Sequence, residues 1–156
     1  MPTSEGDRPP YVGRPLRRTE DAKLVTGRGQ YVDDINRPGQ SYAVFVRSPH
    51  AHATIKNIDI SAAKAAPGVL GIFTGADLAK DKIGGLICGW MIHSKDGSPM
   101  KAGPHPALAQ GKVRYVGDHV AVVIADTLVQ ARDAAELVSV DYDVHAPVVD
   151  LGKAQA

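Results

Sequence analysis

Thirteen residues, Ser41 to Ala53 (Ser-Tyr-Ala-Val-Phe-Val-Arg-Ser-Pro-His-Ala-His-Ala), constrain the fold more than any other stretch. Tyr42 to Arg47 is rich in β-formers and predicts a strand, with Tyr42, Val44 and Val46 on one face and Ala43, Phe45 and Arg47 on the other. Pro49 cannot donate to a ladder, so it ends that strand or marks an edge or bulge. Pairing resumes over Ala53 to Ile60. There the apolar positions slip out of phase between Ile55 and Ile58, which predicts a bulge near Lys56-Asn57. The chain must therefore turn between two strands through a segment that carries His50 and His52.

The flanking segments supply the remaining elements. Met1 to residue 11 is polar and proline-rich and reads as a disordered tail. Thr19 is expected to cap a short helical turn that carries Leu24 and Val25 and stops at Gly27, with a short strand over Gln30–Val32 and a tight turn over Asn36–Gly39. Ser61 is expected to cap a helix over Ala62–Ala66, closed by Pro67-Gly68, before a core strand over Val69–Phe73. Thr74 and Asp77 form a near capping box. Order returns in a strand over Val113–Val116, a Gly117-Asp118 turn and the apolar run His119–Ala125, a strand buried on both faces. Asp126 is expected to cap an amphipathic helix over Thr127–Leu137, followed by a strand over Val138–Tyr142 and a tail over 151–156. Strands and helices in this order make a mixed α/β, or α+β, domain over residues 12–150.

Between residues 79 and 112 no periodicity survives. This loop holds six glycines and three prolines, yet also Ile83, Leu86, Ile87, Trp90, Met91 and Ile92, which are too apolar to be left in water. Loops of this length are uncommon in compact domains, and an apolar one points to an interface.

Composition narrows the function. A net charge of +1 and basic residues not interleaved with aromatics argue against nucleic acid, DNA included, and against an anionic membrane. No segment approaches the roughly 20 apolar residues of a membrane span. A lone cysteine, Cys88, permits no internal disulfide and no cluster held by four thiolates of this chain, and fits a cytoplasmic protein. His50 and His52, two apart, would stand about 7 Å apart on one strand face, a spacing that suits two metal-bound imidazoles, with His93 and His105 as further donors. The competing reading makes them polar edge or interface residues. Ser48 lacks the glycine elbow of an activated serine, Cys88 has no neighbouring His or cation, and Asp33-Asp34 and Asp141-Tyr142-Asp143 read as solvated acids. Gly27-Arg28-Gly29 lacks the strand and Gly-Lys-Ser/Thr context of a phosphate cradle.

Four segments together resemble the amino-terminal part of the large subunit of molybdenum hydroxylases, the xanthine dehydrogenase, aldehyde oxidase and aerobic carbon monoxide dehydrogenase family. They are Val12 to Asp34 with its Leu24-Val25-Thr26-Gly27-Arg28-Gly29-Gln30-Tyr31 core; Val46-Arg47-Ser48-Pro49-His50-Ala51-His52-Ala53 with Ile58-Asp59; Ala66-Pro67-Gly68-Val69 through Phe73-Thr74-Gly75-Ala76-Asp77-Leu78; and Val113-Arg114-Tyr115-Val116-Gly117-Asp118 with Val120 to Ala125 and Val140-Asp141-Tyr142. The opening segment is most similar to the carbon monoxide dehydrogenase branch. The resemblance implies an α/β hammerhead fold, a scaffold role in a multisubunit oxidoreductase, and an enzyme that carries a molybdopterin (cytosine dinucleotide) molybdenum cofactor, 2Fe-2S clusters and FAD. It implies as partners the remaining pterin-binding domains of the large subunit and the iron–sulfur and FAD subunits. No pterin loop and no catalytic glutamate motif is found here, so no catalytic, cofactor-binding or metal residue is assigned. The alternative is a stand-alone binding module that takes a metal through His50 and His52.

Overall fold

A computed structural model describes Tyr11, Gly13 and residues 15–154. The tail expected over residues 1–11 lies outside the described residues except for Tyr11. The chain divides between Pro38 and Gly39 into two units. The first contains α1 (Asp21–Val25) and a 3-10 turn at Val32–Asp34. Two expectations are corrected in this unit. The cap of α1 is Glu20 rather than Thr19, because Glu20 already has helical angles and its carbonyl accepts the Leu24 N–H, while Arg18 Nε pairs with Asp21 at 3.0 Å. The strand expected over Gln30–Val32 is absent, because Asp34 Oδ2 accepts the Tyr31 N–H at 2.9 Å and curls the chain into a turn.

The second unit holds six strands in two three-stranded antiparallel sheets. One sheet has the order β1 (Tyr42–Arg47), β5 (His119–Ala125), β3 (Val69–Thr74); the other has the order β4 (Lys112–Val113), β2 (Ala53–Asp59), β6 (Ser139–Val144). The apolar run 119–125 takes the central place in its sheet, and Val120, Ala121, Val123 and Ala125 are all fully buried. Alternation along β1 is as expected: Tyr42, Val44 and Val46 are half-buried and their neighbours exposed. The register of β2 against β6 shifts between Ile55 and Asn57, which places the bulge at Lys56.

Helix α4 (Leu128–Glu136) packs on β1 and β5 through the buried Ala131 and Ala134. Its cap is Thr127, not Asp126, because Thr127 has extended angles and its Oγ1 accepts the Gln130 N–H at 3.2 Å; the Asp126 N–H ties the preceding turn to the Gly68 carbonyl. Helix α2 covers Ser61–Lys64, starting one residue before and ending two before the expected bounds, and the Asp59 carboxylate, not Ser61, takes the first free amide. Helix α3 (Gly75–Lys80) starts at the expected box, where Asp77 Oδ2 accepts both the N–H and the hydroxyl of Thr74 at 2.7 Å. The expected strand over Val113–Val116 shrinks to Lys112–Val113, because Asp118 accepts the Arg114 N–H and its own N–H returns to the Tyr115 carbonyl. Strand β6 extends beyond Tyr142 to Val144, and residues 151–154 form a last helical turn, α5, rather than an irregular tail.

Gly75 locks α3 against the end of the long loop. A Cβ there would collide with the backbone of Leu108 and Ala109. Because backbone cannot swing aside as a side chain can, Gly75→Ala is expected to destabilise the fold by about 1 to 3 kcal/mol. Urea unfolding followed by circular dichroism checks this, and an unchanged midpoint would show that the contact is not tight.

Candidate functional site

Three features of the second unit stand out once its elements are in place. The first is a polar knot where the chain leaves β1. Ser48 is 2% exposed and Asp118 8%, the two polar residues in an otherwise Ala- and Val-rich set of buried side chains. The Ser48 N–H donates to the Asp118 carbonyl at 2.9 Å, and the Gly117 N–H donates to the Ser48 carbonyl at 2.8 Å. Ser48 Oγ donates to the His50 carbonyl and accepts the His50 N–H, which closes a tight bend before β2. Burial pushes the Tyr142 phenol above its ordinary range; a hydrogen bond with Ser48 opposes this and the charge of Asp118 adds to it. Burial and then the charge of Asp118 raise Tyr115 as well, with Arg47 opposing. The knot is therefore a buried carboxylate ringed by neutral hydroxyls and backbone amides, suited to holding a bend and poorly suited to nucleophilic chemistry. Sequence reasoning missed it. The Gly117-Asp118 turn was visible, but its pairing with Ser48 across some 70 residues leaves no local signal.

The second feature concerns the histidines. The strand geometry that would set His50 and His52 side by side is not formed: both lie in the bend closed by Ser48 and Pro49. His50 meets the edge of Tyr142, with ring centroids 5.0 Å apart, while His52 lies 5.1 Å from His145. His145 Nε2 is 2.8 Å from Thr54 Oγ1. His93 and His105 sit in the long loop, His105 against Tyr115. Among the described residues, no three His, Cys, Asp or Glu side chains are grouped to hold a metal ion. Asp34 caps its own turn with Asp33 exposed beside it, and Asp141 and Asp143 face solvent on β6.

The third feature is an apolar face. Register places Phe45 and Phe73 on either side of Val122, so β1, β5 and β3 present a cross-strand row on one side of their sheet. Phe45 is 43% exposed and Phe73 42%. With Leu78, Leu86, Leu108 and His119, they line a groove of about 370 Å³. The His119 ring stacks on Phe45 at 4.5 Å, and its Nε2 is buried without a hydrogen-bond partner. From this groove the long loop runs on through Ile87 and Trp90, which are 93% and 81% exposed.

The family model described as the a/b hammerhead domain of aldehyde oxidase and xanthine dehydrogenase matches residues 26–146. The chain belongs to this family. The large subunit of nicotine 6-hydroxylase from Paenarthrobacter nicotinovorans is 43% identical to it over 138 residues, 88% of this chain and 16% of that one. The carbon monoxide dehydrogenase large chain of Afipia carboxidovorans is 43% identical over 144 residues, 92% and 16% of the respective chains. A solved structure of quinoline 2-oxidoreductase from Pseudomonas putida 86 superposes with a TM-score of 0.79 at 37% identity, over 90% of this chain and 17% of that one. The hammerhead chain thus spans about a sixth of the length of the curated relatives it matches.

Among the described residues no grouped His, Cys, Asp or Glu side chains stand ready to ligate the metals of a molybdenum hydroxylase. A 2Fe-2S cluster needs four ligands, and the chain has one exposed cysteine whose Sγ lies 3.5 Å from the Trp90 carbonyl. The buried unpartnered nitrogen of His119 sits in an apolar groove rather than a polar pterin cradle. Among the described residues no helix is long and apolar enough to cross a membrane.

Two measurements test the knot. Asp118→Ala leaves the Arg114 amide without its acceptor and is expected to cost about 1 to 3 kcal/mol in urea unfolding. A tyrosine whose pKa is raised by folding contributes stability that is complete below its unfolded value, near pH 10, and is lost as pH rises through the folded value. Melting temperature is therefore expected to fall as pH rises above about 10, and to fall less steeply in Tyr142→Phe. Identical slopes in the two proteins would remove Tyr142 from the knot.

Proposed function

We propose that this chain is the scaffold domain, over residues 12–150, of the large subunit of a molybdopterin-dependent oxidoreductase of the carbon monoxide dehydrogenase or xanthine dehydrogenase type. On this reading it does no chemistry alone and supplies no catalytic, cofactor-binding or metal residue. The molybdopterin cofactor belongs to the remaining large-subunit domains. The 2Fe-2S clusters and FAD belong to partner subunits of a cytoplasmic complex.

The observation that carries the reading is the apolar surface. A domain whose largest fully buried side chains are valines leaves Trp90, Ile87, Phe45 and Phe73 in water. Monomeric soluble proteins rarely expose contiguous apolar patches of that kind. Family membership supports it further, because relatives named as large subunits carry this region as about a sixth of their length.

Co-expression with the remaining large-subunit domains is the test. A stable complex on size exclusion is expected. Replacing Ile87 and Trp90 with serine is expected to weaken it about tenfold or more, as loss of a central aromatic anchor does. No complex with the unaltered chain would overturn the reading.

A further inference from the structure

A cleft of about 630 Å³ opens between the bend at Ala51-His52, the turn after β4 and the exit segment Pro147–Val149. Its floor is cationic. Val113 is fully buried, while its neighbours Lys112, on β4, and Arg114, just past the strand, both line the cleft. No acidic residue lines it. Asp118, the nearest carboxylate in sequence, takes the Arg114 backbone amide and is 8% exposed. Among the described residues no carboxylate lies within bonding distance of the Lys112 or Arg114 side chain. His52 Nδ1 lies 3.3 Å from the Ala146 carbonyl; with the proton on Nδ1 the ring donates there and presents Nε2 as the remaining polar atom. The far wall is apolar, with Val148 68% and Val149 84% exposed.

We propose that this cleft docks an acidic, extended segment of the remaining large-subunit polypeptide, with carboxylates over Lys112 and Arg114 and apolar side chains against Val148 and Val149. The proposal rests on the assembly role argued above and names the chemistry of one partner surface. Charge complementarity selects the acidic residues, since two unpaired cations in one cleft repel each other until an anion sits between them. The exposed valines select a polypeptide over a small anion, which would leave them in water.

The test uses the full chain co-expressed with the remaining large-subunit domains, with affinity measured across a range of salt concentrations. The double variant Lys112→Glu, Arg114→Glu is expected to bind about tenfold or more weakly, with a shallower salt dependence. Val148→Ser with Val149→Ser is expected to weaken binding while the salt dependence stays. Circular dichroism checks that each variant folds. Failure of the unaltered chain to form any complex would sink the assembly role, and this inference with it. A complex that forms normally, with affinity and salt slope unmoved in the charge-reversed variant, would overturn the cleft alone. So would binding of inorganic phosphate by the isolated chain that disappears in the variant while the complex is unaffected, which would mark a small-anion site.

Discussion

Two backbone hydrogen bonds, from Ser48 to the Asp118 carbonyl and from Gly117 to the Ser48 carbonyl, hold the place where the chain passes from one sheet to the other. Strand β1 ends there in the first sheet and β2 begins in the second, while the Gly117-Asp118 turn joins β4 of the second sheet to β5 of the first. Both crossings meet at one point. If it slipped by a residue, every side chain of β2 would change faces, and the core formed by Ala53, Val113 and Val120 with Ile55 and Ile58 would be lost. The Asp118 carboxylate stabilises the junction from below by taking the Arg114 amide, and a glycine at 117 supplies the positive φ of 89° that the turn demands.

The rest of the structure follows from how little this arrangement encloses. Its buried residues are mainly alanine and valine, which contribute less burial per residue than leucine or phenylalanine. Phe45 and Phe73 lie half-exposed on the open face of the first sheet, and Leu86, Ile87, Trp90 and Ile92 are exposed along the loop after α3. Such a distribution would be costly for a protein meant to stand alone. It is economical for a domain that borrows burial from a partner, because the same side chains then serve two cores.

What the sequence made legible was whatever is set by local periodicity. Strands β1, β2 and β5 were readable from alternation or from an unbroken apolar run, and the slip at Lys56 from the phase change between Ile55 and Ile58. The misplaced pieces were decided by competition between neighbours. Asp34 curls the Gln30–Val32 segment, Asp118 strips Arg114 from the ladder, and Thr127 Oγ1 takes the Gln130 amide and with it the cap expected of Asp126. The histidines failed as a pair for the same reason: Ser48 bends the backbone between β1 and β2, and strand spacing no longer applies. The groove under Leu86 and Leu108 was illegible because its walls come from a loop with no period, joined to strands far away in sequence.

The two surfaces differ in what they can do for a partner. The open sheet face and the loop carry most of the apolar area, and apolar burial is strong but non-directional. Alone it would tolerate several orientations of the partner. The cleft over Lys112 and Arg114 is smaller in apolar content but carries charge on either side of the buried Val113, with Lys112 on β4 and the Arg114 backbone held by Asp118. Charged contacts steer encounter and penalise wrong registers more than they add affinity. On the proposed reading, a domain with both would be held in one orientation, the property a scaffold needs if cofactors on other domains are to keep their separations.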